Sequence, residues 1–275
     1  MALSVNTNLF SLNAQRNVAT TQATLGSAMQ RLSSGNRVNS AKDDAAGLAI
    51  AERMNAQIKG MNVAIRNAND AISLAATAEG ALSKVTESLQ RMRELAVQSA
   101  NATNNDGDRT NLDAEFQQLG SELGRVLEST KFNNKAILGA DAGTLTFQVG
   151  AGPDDTIDVT TTDLTGNADV TAVTGGDITD AANAKTAIED IDTAIDTVSQ
   201  ERANYGAYQN RFESVIGNLQ VASENQSSAR GRIMDADYAS ETANLSRAQI
   251  LQQAGMAMLT QANSMPQQVL SLLKG

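Results

Sequence analysis

The chain has 275 residues, a formal net charge of −10, 3% aromatic residues, and no Trp, Cys or His. That length allows two ordinary domains, while so few rings exclude a core built on large aromatic side chains. Without cysteine or histidine there can be no disulfide, thiol nucleophile, Ser-His-Asp triad or His-zinc site.

Charge is unevenly spread. No acid precedes Asp43, whereas between residues 101 and 201 acids outnumber bases 19 to 5. The middle of the chain is therefore expected to be a solvated surface unsuited to polyanions, and the near-neutral ends are expected to tolerate copies of themselves. An organellar transit peptide would also be amphipathic and poor in acids, but a matching stripe at the other terminus argues against that reading. The start shows no secretory signal, and no apolar run reaches the length of a bilayer span.

With only Pro153 and Pro266, long helices are permitted almost everywhere. Residues 1–35 read as helix, with Val5, Leu9, Leu12, Ala19, Ala23 and Gly26 on one stripe and Val18, Leu25 and Leu32 on a register beside it. Turn formers at 33–36 stop it. Asp43 and Asp44 then suit a helix N-terminus, where carboxylates meet the positive end of the dipole. A very long helix follows to about Ala100, carrying Ile58, Met61, Ile65, Ala68, Ile72, Ala75, Glu79 and Leu82, then Val85, Leu89, Met92 and Ala96. Residues 101–108 form a turn by composition. A shorter helix bears Leu112, Phe116, Leu119, Leu123 and Val126.

The period then changes to two, and 144–161 reads as a β-hairpin. Residues 160–180 look like an exposed loop or short strands. Asp154, Asp155, Asp158 and Asp163 do not follow the order of a helix-loop-helix calcium site, so a solvated turn is expected there. A second long helix carries Ala184, Ile188, Ile191, Ile195, Val198, Tyr205, Phe212 and Leu219 to about Arg230-Gly231. The last helix, from about Asp235, bears Leu251, Ala254, Met258, Ala262, Met265, Val269 and Leu272.

These two end stripes are thin, half Ala and Met, and can bury little area alone. They are expected to pair as a terminal coiled coil and to order only when many copies pack together. The predicted fold is mainly α: an elongated antiparallel helical bundle with paired terminal helices and a small hairpin region. Its expected layers are 1–42 with 233–275 inside, and 43–232 outside.

Residues 31–50, RLSSGNRVNSAKDDAAGLAI, resemble the N-terminal signature of bacterial flagellin. MALSVNTNLFSLNAQRN at the start, LQRMRELAVQSAN (89–101), KFNNKAIL (131–138) and MPQQVLSLLKG at the end are similar to that family too. The resemblance implies a non-enzymatic filament subunit without cofactors or metals, exported unprocessed by the flagellar type III apparatus. It further implies an export chaperone that binds the C-terminus, a cap complex at the growing tip and neighbouring hook-junction proteins. Only about twenty residues stand where longer members carry outer domains.

In animal-associated members a surface innate receptor reads an outer helical face, and the matching positions are Arg91, Leu95 and Glu115. Leu270, Leu272 and Leu273 resemble residues read by the cytosolic flagellin sensor, although Lys274-Gly275 stands where Arg often follows the leucines. Hook–filament junction proteins share such terminal helices and remain the alternative. A hydrolase-bearing long flagellin is disfavoured by the missing His and the short insert.

Overall fold

The structure is a computed structural model describing residues 7–274, with side chains through residue 265. In order these form α1 (Leu9–Ser34), α2 (Ala45–Ser99), α3 (Asp106–Ser129), β1 (Lys131–Phe132), β2 (Lys135–Ala136), β3 (Thr144–Gln148), β4 (Thr156–Thr160), α4 (Ala168–Gly175), α5 (Ala181–Met234) and α6 (Tyr238–Lys274). The chain is mainly α, as its periodicity predicts. It divides into two compact units, Met1–Ala56 with Asn225–Gly275, and Gln57–Glu224, the divisions falling within α2 and α5.

The Gln57–Glu224 unit holds most of the core. Leu82, Leu89 and Met92 of α2 meet Ile191, Val198 and Tyr205 of α5, and Phe116, Leu123 and Leu127 of α3 complete the cluster. Each fully buried Leu or Phe contributes about 1.5–3 kcal/mol. Arg93 with Asp192 at 2.7 Å and Arg202 with Glu79 at 3.0 Å show α2 and α5 running antiparallel here. These pairs are partly exposed and screened by solvent, so they fix the register of the two helices more than they stabilise them.

The predicted hairpin forms from β3 and β4, with Leu145 opposite Val159 and Phe147 opposite Ile157. Phe147 meets Phe212 of α5 edge to face at 5.8 Å. A smaller hairpin, β1–β2, was not predicted. Asn133 and Asn134 turn it at φ 48° and 65°, a left-handed conformation that asparagine tolerates.

Residues 160–180 differ from the exposed loop or short strands expected of them, since they contain the short helix α4. Asn167 caps α4 by accepting the Asp169 amide, and Leu164, Val170, Val173 and Ile178 are buried in the main core. Four spaced apolar residues among Thr, Gly and Asp suffice because α3 and α5 already offer a surface to cover. The second long helix also continues past Gly231, to Met234.

Tyr205 is buried with its hydroxyl unpaired among the described residues, and burial pushes its phenol pKa up from the ordinary value of 10.0. A raised folded-state pKa means stability is fully present below the unfolded value and is lost as pH rises beyond it. We therefore expect the urea midpoint to fall between pH 8 and pH 11, roughly across the ordinary tyrosine range. Tyr205→Phe should flatten that fall and leave the midpoint at pH 8 unchanged or slightly higher, since no hydrogen bond is lost. An equal alkaline fall in the variant would assign it to other groups.

In the other unit, Gly35 at φ 72° ends α1 with its amide on the Arg31 carbonyl. The next residues pair with the α5–α6 junction: Arg37 donates its amide to the Met234 carbonyl at 2.6 Å, and Ala236 donates to Gly35 at 2.9 Å. Val38, Ala51 and Met234 pack beneath this junction. Asp43 accepts from the Ser40 hydroxyl and from the Asn39 and Ser40 amides, which hold its carboxyl below its usual value. Asp44 caps α2 by accepting the Gly47 amide at 2.8 Å.

Candidate assembly surface

Within their unit α1 and α6 lie antiparallel. Asn8 caps α1 through the Ser11 amide, and its side-chain amide donates to the Ala262 carbonyl at 2.7 Å. The Ser11 hydroxyl donates to Asn263 at 2.7 Å, and at the far end Arg31 faces Glu241 at 3.9 Å.

Helix 1 turns a strict heptad toward its partner: Ser11, Ala14, Val18, Thr21, Leu25, Ala28 and Leu32, all buried or half-buried. Helix 6 answers with Leu245, Ala248, Gln252, Gly255, Leu259 and Ala262. This corrects the expected pairing. The seam uses the second N-terminal register, containing Leu25 and Leu32, while Leu9, Leu12, Ala19, Ala23 and Gly26 face solvent. Small and polar residues occupy the seam because they let two helix backbones approach closely, most tightly where Gly255 meets Val18.

The larger apolar side chains stand uncovered. Leu9 is 65% exposed, Met258 64% and Ile250 66%, with Phe10, Leu12 and Leu251 about half exposed. Ala254 is also exposed and Met265 half-buried. Both helices are paired with one another within the one chain. What the single chain lacks is cover for these side chains. Val5 lies outside the described residues, as do the side chains of Val269, Leu270, Leu272 and Leu273.

Beside the seam runs an open groove of about 600 Å³, lined by Phe10, Val18, Leu251, Met258 and Met265 as well as by Asn13, Asn17 and Gln261, with no charged residue among the described residues of its walls. A neutral, apolar groove of this kind can be covered by an identical molecule without like-charge repulsion. Phe10 and Ile250 were missed by the sequence reading. Phe10 belongs to a heptad position next to the seam, visible only once the seam register is known, whereas Ile250 lies on the face of α6 away from the seam.

The Gln57–Glu224 unit carries the other candidate face. Arg91 is exposed and bridges Glu94 and Glu115, each at 2.8 Å, which raises its pKa above the ordinary arginine value. Leu95 does not join them. At 1% exposure it is buried in the core with Phe116, because it falls on the inward stripe of α2. A face read by a partner here can consist of Arg91, Glu94 and Glu115 but not of Leu95. No helix among the described residues is long and apolar enough to cross a membrane.

A mainly helical chain with two long terminal helices paired through small residues, and a neutral apolar flank left open, is a subunit shaped for association. Comparison with known proteins agrees. The family models for the bacterial flagellin N-terminal and C-terminal helical regions match residues 5–142 and 188–273. A flagellin of Halalkalibacterium halodurans is 48% identical over 98% of this chain and 99% of its own length. The flagellar filament 33 kDa core protein of Treponema phagedenis is 38% identical over 98% and 99%. The crystal structure of Bacillus cereus flagellin superposes with a TM-score of 0.51 at 34% identity, covering 56% of this chain and 88% of that one. The chain belongs to the bacterial flagellin family, a family of structural proteins.

Proposed function

We propose that this chain polymerises into the extracellular filament of the bacterial flagellum and has no enzymatic activity of its own. The observation that carries the reading is the uncovered flank of the α1–α6 pair, where Leu9, Phe10, Leu251 and Met258 stand in water in the single chain. Covering them with further copies removes that apolar surface from solvent. A contact between unlike faces that does not close into a ring repeats as an open helix. In this reading residues 1–42 and 233–275 line the filament core, and the acidic 43–232 segment faces solvent.

Family membership supports partners of the flagellar kind. These are the type III export apparatus acting on the uncleaved chain, a chaperone on the C-terminal helix, a cap complex at the tip and hook-junction proteins at the base. Host receptors are a further class, reading the exposed Arg91–Glu115 face on the surface and Leu270, Leu272 and Leu273 in the cytosol.

Sedimentation tests the reading. Purified full-length protein, heated and then cooled with filament fragments as seeds, is expected to pellet as long filaments. The same protein lacking residues 236–275 is expected to stay wholly in the supernatant while keeping the folded Gln57–Glu224 unit. Truncated protein that pellets normally would overturn the assignment of the core. Full-length protein that forms only small complexes would point instead to a junction role.

A further inference from the structure

The chain has nine methionines, and among the described ones Met54 is half-buried, as is Met265 in the wall of the groove. Met61, Met92 and Met234 are buried, whereas Met29, Met256 and Met258 are 52–64% exposed and all lie on α1 or α6. Of these three, only Met258 lines the neutral groove beside the seam. We propose that Met258 is an oxidation site through which peroxides block self-assembly, an inference that rests on the filament reading.

The chemistry is a two-electron transfer to sulfur. A peroxide oxygen bonds to the Met258 thioether as the O–O bond breaks; the sulfur becomes a sulfoxide and hydrogen peroxide leaves as water. Exposure governs which methionines react, so the core sulfurs are spared, and the product is polar where the parent was apolar. A sulfoxide in the groove keeps its hydrogen bonds to water only while the groove is open. Covering it with another copy strips that water and leaves only the neutral amide and hydroxyl donors of the walls, Asn13, Asn17, Thr20, Thr21 and Gln261, in its place. Assembled protein, with the groove covered, is correspondingly protected. The same side chain therefore serves as the apolar contact and as the point at which an oxidant acts.

The experiment uses full-length protein treated as monomer with hydrogen peroxide, with oxidation at each methionine read by peptide mass and assembly read by seeded sedimentation. Met29, Met256 and Met258 are expected to gain one oxygen before Met61 and Met92 do. The monomer concentration left at equilibrium is expected to rise about tenfold or more, the consequence of moving a polar group out of water at the contact. Methionine sulfoxide reductases acting on both epimers are expected to restore pelleting. Measured against its own untreated sample, Met258→Leu should lose less of its pelleting to peroxide than the wild type does, whereas Met29→Leu and Met256→Leu should remain as sensitive as the wild type. Met258→Gln, a polar stand-in, should assemble poorly without any oxidant while its urea midpoint is unchanged.

Oxidised wild-type protein that pellets like untreated protein overturns the inference and leaves the filament reading standing. Met258→Leu that is as sensitive as the wild type overturns it too. Untreated protein that fails to pellet sinks the filament reading and the inference together.

Discussion

Arg109→Ala is expected to destabilise the Gln57–Glu224 unit by about 3 kcal/mol, a loss typical of removing a buried charged donor from several acceptors. Arg109 stands in the first turn of α3 and is 93% buried, its relative exposure being 7%. Its guanidinium donates to the carbonyl of Ser99, the last residue of α2, and to those of Asn101 at 3.0 Å and Asn104 at 3.4 Å. The last carbonyls of any helix lack intrahelical partners, and here a side chain from the following helix supplies one. Truncation leaves the Ser99 carbonyl buried without this donor and removes the bonds that tie the α2–α3 turn to α3. Arg109→Lys should recover less than half of the loss, because a single ammonium cannot span three carbonyls as a planar fork does. Urea unfolding followed by helical circular dichroism measures both variants. An Ala variant within about 0.5 kcal/mol of the wild type, the range of ordinary surface changes, would remove the clamp from the account.

The second large effect is expected at Gly255. A Cβ placed there comes within 2.8 Å of Cγ2 of Val18, closer than real side chains sit. Alanine gains helix propensity of about 1 kcal/mol, which offsets a shift of a few tenths of an ångström, so Gly255→Ala should be nearly neutral. Leucine adds three more carbons beyond a Cβ that already meets Val18, and overpacking of this kind costs about 1–3 kcal/mol. The α1–α6 pair has little burial to oppose that cost, since its buried residues are the small Ser11, Ala28, Ala248 and Ala262. Gly255→Leu should therefore separate the two helices and abolish pelleting, while the urea midpoint of the Gln57–Glu224 unit stays as it was. Hydrogen exchange should speed up at amides of α1 and α6 alone. Normal filaments from this variant would show that the pair seen in the single chain is not the one used in assembly.

The two variants probe parts of the chain that differ in how far their sequence could be read. In α2 and α5 the large residues Leu82, Leu89, Ile191, Val198 and Phe212 repeat with little ambiguity, and the buried stripes follow them. In α1 and α6 two apolar registers compete. The one with larger side chains, containing Leu9, Leu12, Leu251 and Met258, is the more visible in sequence, yet the contact chooses the smaller. Ser11, Thr21, Gln252 and Gly255 would hardly be selected as contact residues from hydropathy alone. Leu95 shows the converse: a motif match placed it on a receptor-facing surface, but the inward stripe of α2 carries it into the core.

Residue type and spacing alone determined the helical class, the two pairs of long and terminal helices, the β3–β4 hairpin and the exclusion of thiol and histidine chemistry. They did so because periods of 3.5 and 2 are local properties of the chain. Only tertiary structure decided which register of α1 meets α6, that residues 164–178 pack into the core, and that Arg109 closes the end of α2. Those outcomes depend on how near two backbones can come and on which unpaired carbonyl lies within reach, and neither distance is written in the order of the residues.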